Sequence, residues 1–260
     1  MILLYLAVAA LYGAAAWANA PGRGLPLALR AILVAAALAL HLAIAIAGVA
    51  TPDGLDLSLP HALSIVAALT VLVAVATGAL VKLPPIGVVV LPVAAIAAVL
   101  PAFAPAAHRF PWAGEPWATI HIGLALFAYA FFIVAAAQAV VMTGLEKRLH
   151  LGLADDEATP PLLTLERALF RLIAIGFVLL SLALASGAFF SERMFGRAFQ
   201  FTHKNLFAIA SWAVFGALVV GRWRYGWRGR RALRWILAGT ALLVVAYLGT
   251  KFVLEVVLGR

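Results

Sequence analysis

The chain is a succession of long apolar runs separated by short polar breaks. Eight runs stand out, at 2–19, 29–50, 61–81, 86–105, 117–143, 166–190, 204–221 and 233–257. Each is near the ~20 residues that a helix needs to cross ~30 Å of hydrocarbon. None has the ten-residue alternation of a barrel strand, and an open sheet would leave its edge groups unpaired in lipid. The pattern predicts an all-α, polytopic transmembrane bundle of about eight spans, forming a single domain over residues 1–260.

Details within the runs refine this expectation. Pro92 lies inside the fourth run, which predicts a kink there. The polar stretch 144–165 carries Asp155, Asp156 and Glu157 ahead of Pro160 and Pro161, with Thr159 as a candidate cap. It is the only connection long enough to hold a short helix of its own. Ala18-Asn19-Ala20 resembles a signal-peptidase site after an apolar run, yet residues 1–17 hold no basic n-region and Pro21 would follow the scissile bond. The first run is therefore expected to be retained as a span.

Charge gives the orientation. Every second loop, with the helix ends beside it, holds Arg23, Arg30, Lys82, Lys147, Arg148, Arg167, Arg171, Arg222, Arg224, Arg228, Arg230, Arg231 and Arg234. The remaining loops, last run and tail hold Arg109, Arg193, Arg197, Lys204, Lys251 and Arg260. Positive-inside bias places the first set in the cytoplasm and both termini outside, with Asp53 and Asp56 also outside. The arginines from 222 to 234 interleave with Trp223, Tyr225 and Trp227 at a membrane edge. That mixture suits a lipid headgroup interface and does not imply nucleic acid.

Composition agrees with a membrane protein. Of the 260 residues, 66% are hydrophobic and 11% charged, against roughly 25% charged in a soluble domain. There is no cysteine, which removes disulfides, thiolate metal sites, Fe–S clusters and covalent C-x-x-C-H haem attachment. Any haem must be held non-covalently, by His or Met.

The topology gives the six histidines an address. His61, His108, His121 and His203 fall at the outer face, His41 lies inside the second span, and only His150 is cytoplasmic. Neutral imidazoles gathered on one face can ligate a metal. The plain alternative is that amphipathic rings simply suit headgroup depth, since no pair has close ligand spacing. His41 needs a partner at membrane depth; an inter-helix hydrogen bond and a ligand role are both open. Lys251 and Glu255, four residues apart and sharing a face with Tyr247, either pair and snorkel or contact a substrate.

From His121-Ile-Gly-Leu-Ala-Leu-Phe-Ala-Tyr-Ala130 onward the sequence resembles the cytochrome c assembly family (CcsA, CcmC and HemX-like proteins), most of all its YpjD-like branch of small inner-membrane proteins. The resemblance continues through Pro161-Leu-Leu-Thr-Leu-Glu-Arg167, Gly226-Trp-Arg-Gly-Arg-Arg231 and Ala246-Tyr-Leu-Gly-Thr-Lys-Phe-Val-Leu-Glu255. It covers roughly the second half of the chain. Haem-handling members carry an outer loop of the form W-G-x-x-W-x-W-D, flanked by histidine ligands. The matching stretch here is Phe195-Gly196-Arg197-Ala198-Phe199-Gln200-Phe201-Thr202. Glycine and aromatic spacing survive, while each Trp has become Phe and the Asp has become Thr. Rings of Phe195, Phe199 and Phe201 can still pack on a porphyrin, but the indole N–H donors and the carboxylate are gone. An interfacial aromatic belt is the alternative reading.

The resemblance implies that His121 takes the place of the family's first outer haem ligand. Two further expected ligand positions are empty: the region after the aromatic loop's helix reads Leu218-Val219-Val220-Gly221-Arg222, and the chain stops at Leu258-Gly259-Arg260. His203, beside the loop, is the nearest substitute, by proximity alone. The expected function is non-covalent binding of haem b, or its presentation at the outer face of a bacterial inner membrane, in support of cytochrome c biogenesis. Iron would be held by His121 and His203, with His41 as a deeper competitor. Arg193, Arg197 or Lys204 would lie near the propionates. Membrane lipid and other cytochrome c assembly proteins are the expected partners, and no nucleophile–base motif points to an enzyme. The alternatives are a solute or ion transporter using His41, Lys251 and Glu255, and a non-haem accessory subunit.

Overall fold

Apolar length decides most of the architecture. A computed structural model describes residues 2–20, 22–23, 25–51, 54–80, 86–103, 109–110, 116–151, 161–195, 203–250 and 252–253. They form α1 (Ile2–Ala18), α2 (Leu27–Val49), α3 (Leu59–Leu80), α4 (Gly87–Val99), α5 (Pro116–His150), α6 (Leu162–Phe195), α7 (His203–Tyr225) and α8 (Gly229–Val244). A 3₁₀ turn, Leu100–Phe103, extends α4, and a π-helical turn, Val245–Gly249, extends α8. The helices α2, α3, α5, α6 and α7 are long and apolar enough to cross a bilayer; α1 and the α4 stretch are shorter apolar helices. The protein is a polytopic helical membrane bundle, as the pattern of apolar runs implied.

The chain divides into two compact units, residues 1–76 with 85–115, and residues 77–84 with 116–260. In the first, α1 packs on α2 and α4. Its buried stripe of Tyr5, Val8, Tyr12 and Ala15 follows the helical repeat. A small antiparallel sheet lies in the loops: β1 (Ala50–Thr51), β2 (Gly54–Asp56) and β3 (Arg109–Phe110), with Ala50 opposite Leu55 and Leu55 opposite Phe110. Runs of two or three residues are too short for periodicity to reveal, so the sequence did not announce it.

In the second unit α5 packs along α6, α8 lies against α5 and α7, and α6 touches α7. Lipid tails are as apolar as leucine, so helices associate through close packing and a few hydrogen bonds. A four-layer stack provides the packing. Phe132 of α5 and Phe215 of α7 are fully buried and stacked, with centroids 3.6 Å apart at 10°. Gly176 of α6 backs Phe132 and Gly239 of α8 backs Phe215; a Cβ there would stand 3.0 and 2.8 Å from the rings. Hydrogen bonds add cross-links: Tyr129 Oη donates to the Leu243 carbonyl at 2.6 Å, Gln138 Nε2 to that of Leu165 at 2.9 Å, and Ser211 Oγ to that of Gly239 at 2.8 Å.

Three boundaries beside the polar connections differ from expectation. Residues 144–150 are not part of a loop: α5 runs on to His150, because Leu145, Glu146, Lys147 and Arg148 are good helix formers and basic groups suit a helix C-terminus. At ~1.5 Å per residue, its 35 residues exceed the ~30 Å hydrocarbon core, so the polar turns extend beyond it. Likewise α6 begins at Leu162, behind Pro161, and α8 begins at Gly229, ahead of the apolar run. Thr159, Lys251 and Glu255 lie outside the described residues, as does His108.

Candidate functional site

His121 sits in the second turn of α5, which starts at Pro116. Its Nδ1 is 3.0 Å from Ser186 Oγ on α6. Ser186 Oγ in turn donates to the Ala183 carbonyl, 3.0 Å away on its own helix. A serine hydroxyl has one proton. With that proton on Ala183, the oxygen accepts from His121, and the ring carries its hydrogen on Nδ1. The Ala183 carbonyl also accepts from the ring, and with the hydrogen on Nδ1 the lone pair is on Nε2. This is the arrangement that orients metal-ligating imidazoles, in which a second group takes the other ring N–H. The ring is close to α6 because residue 187 is glycine: a Cβ there would stand 2.8 Å from His121 Cε1.

A cation completes the surroundings. Lys204, in the first turn of α7, is within electrostatic reach of His121. Its Nζ also lies 5.4 Å from the centre of the Tyr247 ring, a cation–π distance. Tyr247 belongs to the π-helical turn Val245–Gly249 and meets Tyr129 edge-on at 6.2 Å. Such turns are frequent at functional positions. Four elements, α5, α6, α7 and the π turn, thus contribute to one polar region in the second unit. For a haem, these residues fit in kind: an imidazole with a lone pair, its other nitrogen already taken, and a cation for a carboxylate.

Other predicted residues are placed less tightly. His203 opens α7 beside Lys204 with an exposed ring, and no hydrogen bond joins it to His121 among the described residues. Phe195 ends α6, whose last turn also contains Arg193. Arg197, Phe199 and Phe201 lie outside the described residues. No group of three or more His, Asp or Glu fit for a metal occurs among the described residues.

His41 has a different setting. It is 1% exposed on α2, with Nδ1 3.2 Å from Tyr12 Oη of α1 and Nε2 3.0 Å from Ser64 Oγ of α3. Both ring nitrogens are engaged, so the imidazole ties three helices together as an inter-helix hydrogen bond would. A ligand role would first require one of these bonds to break. His61, at the start of α3, places Nδ1 2.9 Å from Ser58 Oγ and 3.6 Å from Asp56 Oδ2, while Asp56 Oδ1 accepts from the Ser58 backbone at 2.9 Å. Serine and carboxylate share one ring nitrogen, so this trio does not form a nucleophile–base–orienter relay, which needs them on opposite nitrogens. It staples the start of α3 to β2.

Sequence reasoning missed Ser186, Gly187, Tyr12 and Ser64. A serine in an apolar run is an ordinary event, and only the partner histidine on another helix makes it informative. It also passed over Glu166, 9% exposed on α6, which accepts from Nη1 and Nη2 of Arg222 at 3.2 and 3.4 Å. Arg222 also donates to the Trp227 carbonyl at 3.3 Å and lies over the Phe170 ring, so the Arg-Trp segment is anchored from inside as well.

Eight helices with few charges among the described residues make a multi-pass membrane protein, and one imidazole in it is held on one nitrogen near a lysine. The profile of the Cytochrome C assembly protein family matches residues 2–258, and the chain belongs to that family. The Inner membrane protein YpjD of Escherichia coli (strain K12) is 36% identical over 143 residues, 55% of this chain and 54% of that protein. The Cytochrome c biogenesis protein CcsA of Prochlorococcus marinus (strain MIT 9312) is 27% identical over 157 residues, 52% of this chain and 51% of its own. That of Synechococcus sp. (strain RCC307) is 27% identical over 169 residues, covering 56% and 54%. The chain spans about half the length of the curated relatives it matches.

Proposed function

We propose that this chain serves cytochrome c biogenesis by holding haem b non-covalently at the outer face of a bacterial inner membrane and presenting it to other assembly proteins. Family membership supports the role in biogenesis. The observation that carries the haem reading is the contact of His121 Nδ1 with Ser186 Oγ, which leaves Nε2 as the nitrogen that would hold iron. Lys204 would take a propionate in a charge-assisted hydrogen bond, and His203, one residue before it, would supply a second and weaker ligand. When bound, haem supplies the iron porphyrin that is to be delivered; the chain binds, orients and exposes it, and breaks no bond. Phe195, Arg197, Phe199 and Phe201 would border the ring, as the aromatic spacing suggests.

The orientation belongs to this reading. With both termini outside, the start of α5 and the start of α7 open on the outer face, so His121, His203 and Lys204 share one aqueous boundary. The test is the visible spectrum of the full chain purified in mild detergent and reconstituted with haem. A near-stoichiometric Soret band that is lost or strongly shifted in His121→Ala, and unchanged in His150→Ala, is the expected result. Wild-type protein without a Soret band, or His121→Ala with an unaltered one, would overturn the reading.

A further inference from the structure

Where α5 ends and α6 and α8 begin, the three helices leave a cavity of about 240 Å³. Its floor is apolar, with Ala139, Leu169 and Ala232 buried. Its rim carries both signs of charge. Glu146 faces it from α5 and Arg228 from the segment ahead of α8, and no ion pair joins these two. Glu146 has no ion pair with any described residue. Glu166 also lines the cavity, but Arg222 already holds it at 3.2 Å, so its charge is compensated within the protein.

Opposite charges that face one small space without reaching each other match an occupant that carries both. Depth narrows the choice. Trp223 and Tyr225, at the end of α7, are 86% and 72% exposed among arginines, the aromatic and basic mixture of headgroup level. Phe170, on the cavity wall, also lines a second hollow with Ala174, Val219, Trp223 and Arg222; Arg222 is already paired with Glu166, so the rest of that lining offers apolar surface along α6 and α7 for an acyl chain. We propose that this cavity holds the headgroup of one zwitterionic phospholipid of the phosphatidylethanolamine type. Glu146 accepts from the primary ammonium and Arg228 donates to the phosphate. A quaternary ammonium has no N–H to donate, and an anionic glycerol headgroup has no cation to meet Glu146.

The proposal is independent of haem and is tested on the full chain by native mass spectrometry, with ethanolamine, choline and glycerol phospholipids offered in equal amounts. The expected result is one retained lipid, with the ethanolamine form preferred by about tenfold, the equivalent of ~1.4 kcal/mol. Glu146→Gln, isosteric on a half-exposed side chain, is expected to erase the preference over choline lipid, and Glu146→Asp to keep it. Arg228→Gln is expected to weaken ethanolamine and choline lipids alike. Retention of the glycerol lipid as well as the ethanolamine lipid overturns the proposal. So does an ethanolamine preference that neither substitution alters, since the lipid then binds elsewhere.

Discussion

Gly187 has no side chain where the His121 ring passes: a Cβ on that residue would stand 2.8 Å from Cε1, closer than any real contact allows. Gly187→Ala should leave the helix intact, since alanine is favoured over glycine in a helix by ~1 kcal/mol. The imidazole must then withdraw from α6 and lose Ser186. Circular dichroism in detergent is expected to be unchanged, while haem uptake, read from the Soret band, falls sharply. An alanine variant that takes up haem as the wild type does would mean that the ring's approach to α6 is irrelevant to the site.

Ser186→Ala isolates the hydrogen bond from the packing. Without the hydroxyl, only the Ala183 carbonyl on α6 is left to take a ring N–H, and the preference between the two tautomers of His121 weakens. In ¹⁵N-histidine-labelled protein, wild-type His121 is expected to give the shifts of an Nδ1–H ring with a bare Nε2. The variant should move toward the average of both forms. Ser186→Thr, which keeps the hydroxyl, should restore the wild-type pattern. An Nε2–H ring in the wild type would remove the ligand geometry altogether, with or without haem.

The helices were legible because bilayer thickness imposes a length that apolar residues must fill, and α2, α3, α5, α6 and α7 meet it on length and apolarity alone. The ends were less so. Leu145 to His150 is amphipathic and charged, and only helix propensity and the dipole carry α5 through it. His121 was legible from its resemblance to a family ligand, whereas Ser186 was not, because its meaning depends on a residue 65 positions away. The same holds for His41: its need for partners was evident from its depth, but Tyr12 and Ser64 are set by packing across three helices.

The stacked pair Phe132 and Phe215 locates where the second unit is least tolerant of added volume. Both rings are fully buried, so Phe215 has nowhere to move if Gly239 gains a methyl group 2.8 Å from its edge. Gly239→Ala is expected to cost ~1–3 kcal/mol by overpacking, despite the gain in helix propensity. Thermal melts in detergent should show a lowered midpoint, and Phe215→Leu in the same background should recover part of it. A midpoint that rises instead would mean that α7 and α8 are free to separate there.

Orientation has a direct readout. A reporter active only outside the cytoplasm should be active when fused after Arg260 or inserted within residues 51–58, and silent at 150–158. The second insertion follows the basic end of α5, where Lys147 and Arg148 set the bias. The reverse pattern would put His121 and His203 on the cytoplasmic side and end the outer-face reading.

His41 decides whether the first unit carries a pillar or a second ligand. Its two nitrogens engage Tyr12 Oη and Ser64 Oγ, and replacing the ring by phenylalanine would strand both hydroxyls in a buried, apolar place. Each stranded group costs ~1–3 kcal/mol unless it finds another partner. Ser64 has one within its own helix, by donating back to a carbonyl one turn earlier, and Tyr12 has no such route. His41→Phe is therefore expected to lower the melting midpoint in detergent clearly. Adding Tyr12→Phe should recover much of the loss, because the stranded hydroxyl is then gone. The haem spectrum should be the same in all three proteins. If His41→Phe removes or shifts the Soret band at a temperature where the protein remains folded, His41 binds iron, and its bonds to Tyr12 and Ser64 belong to a resting state that opens for the ligand.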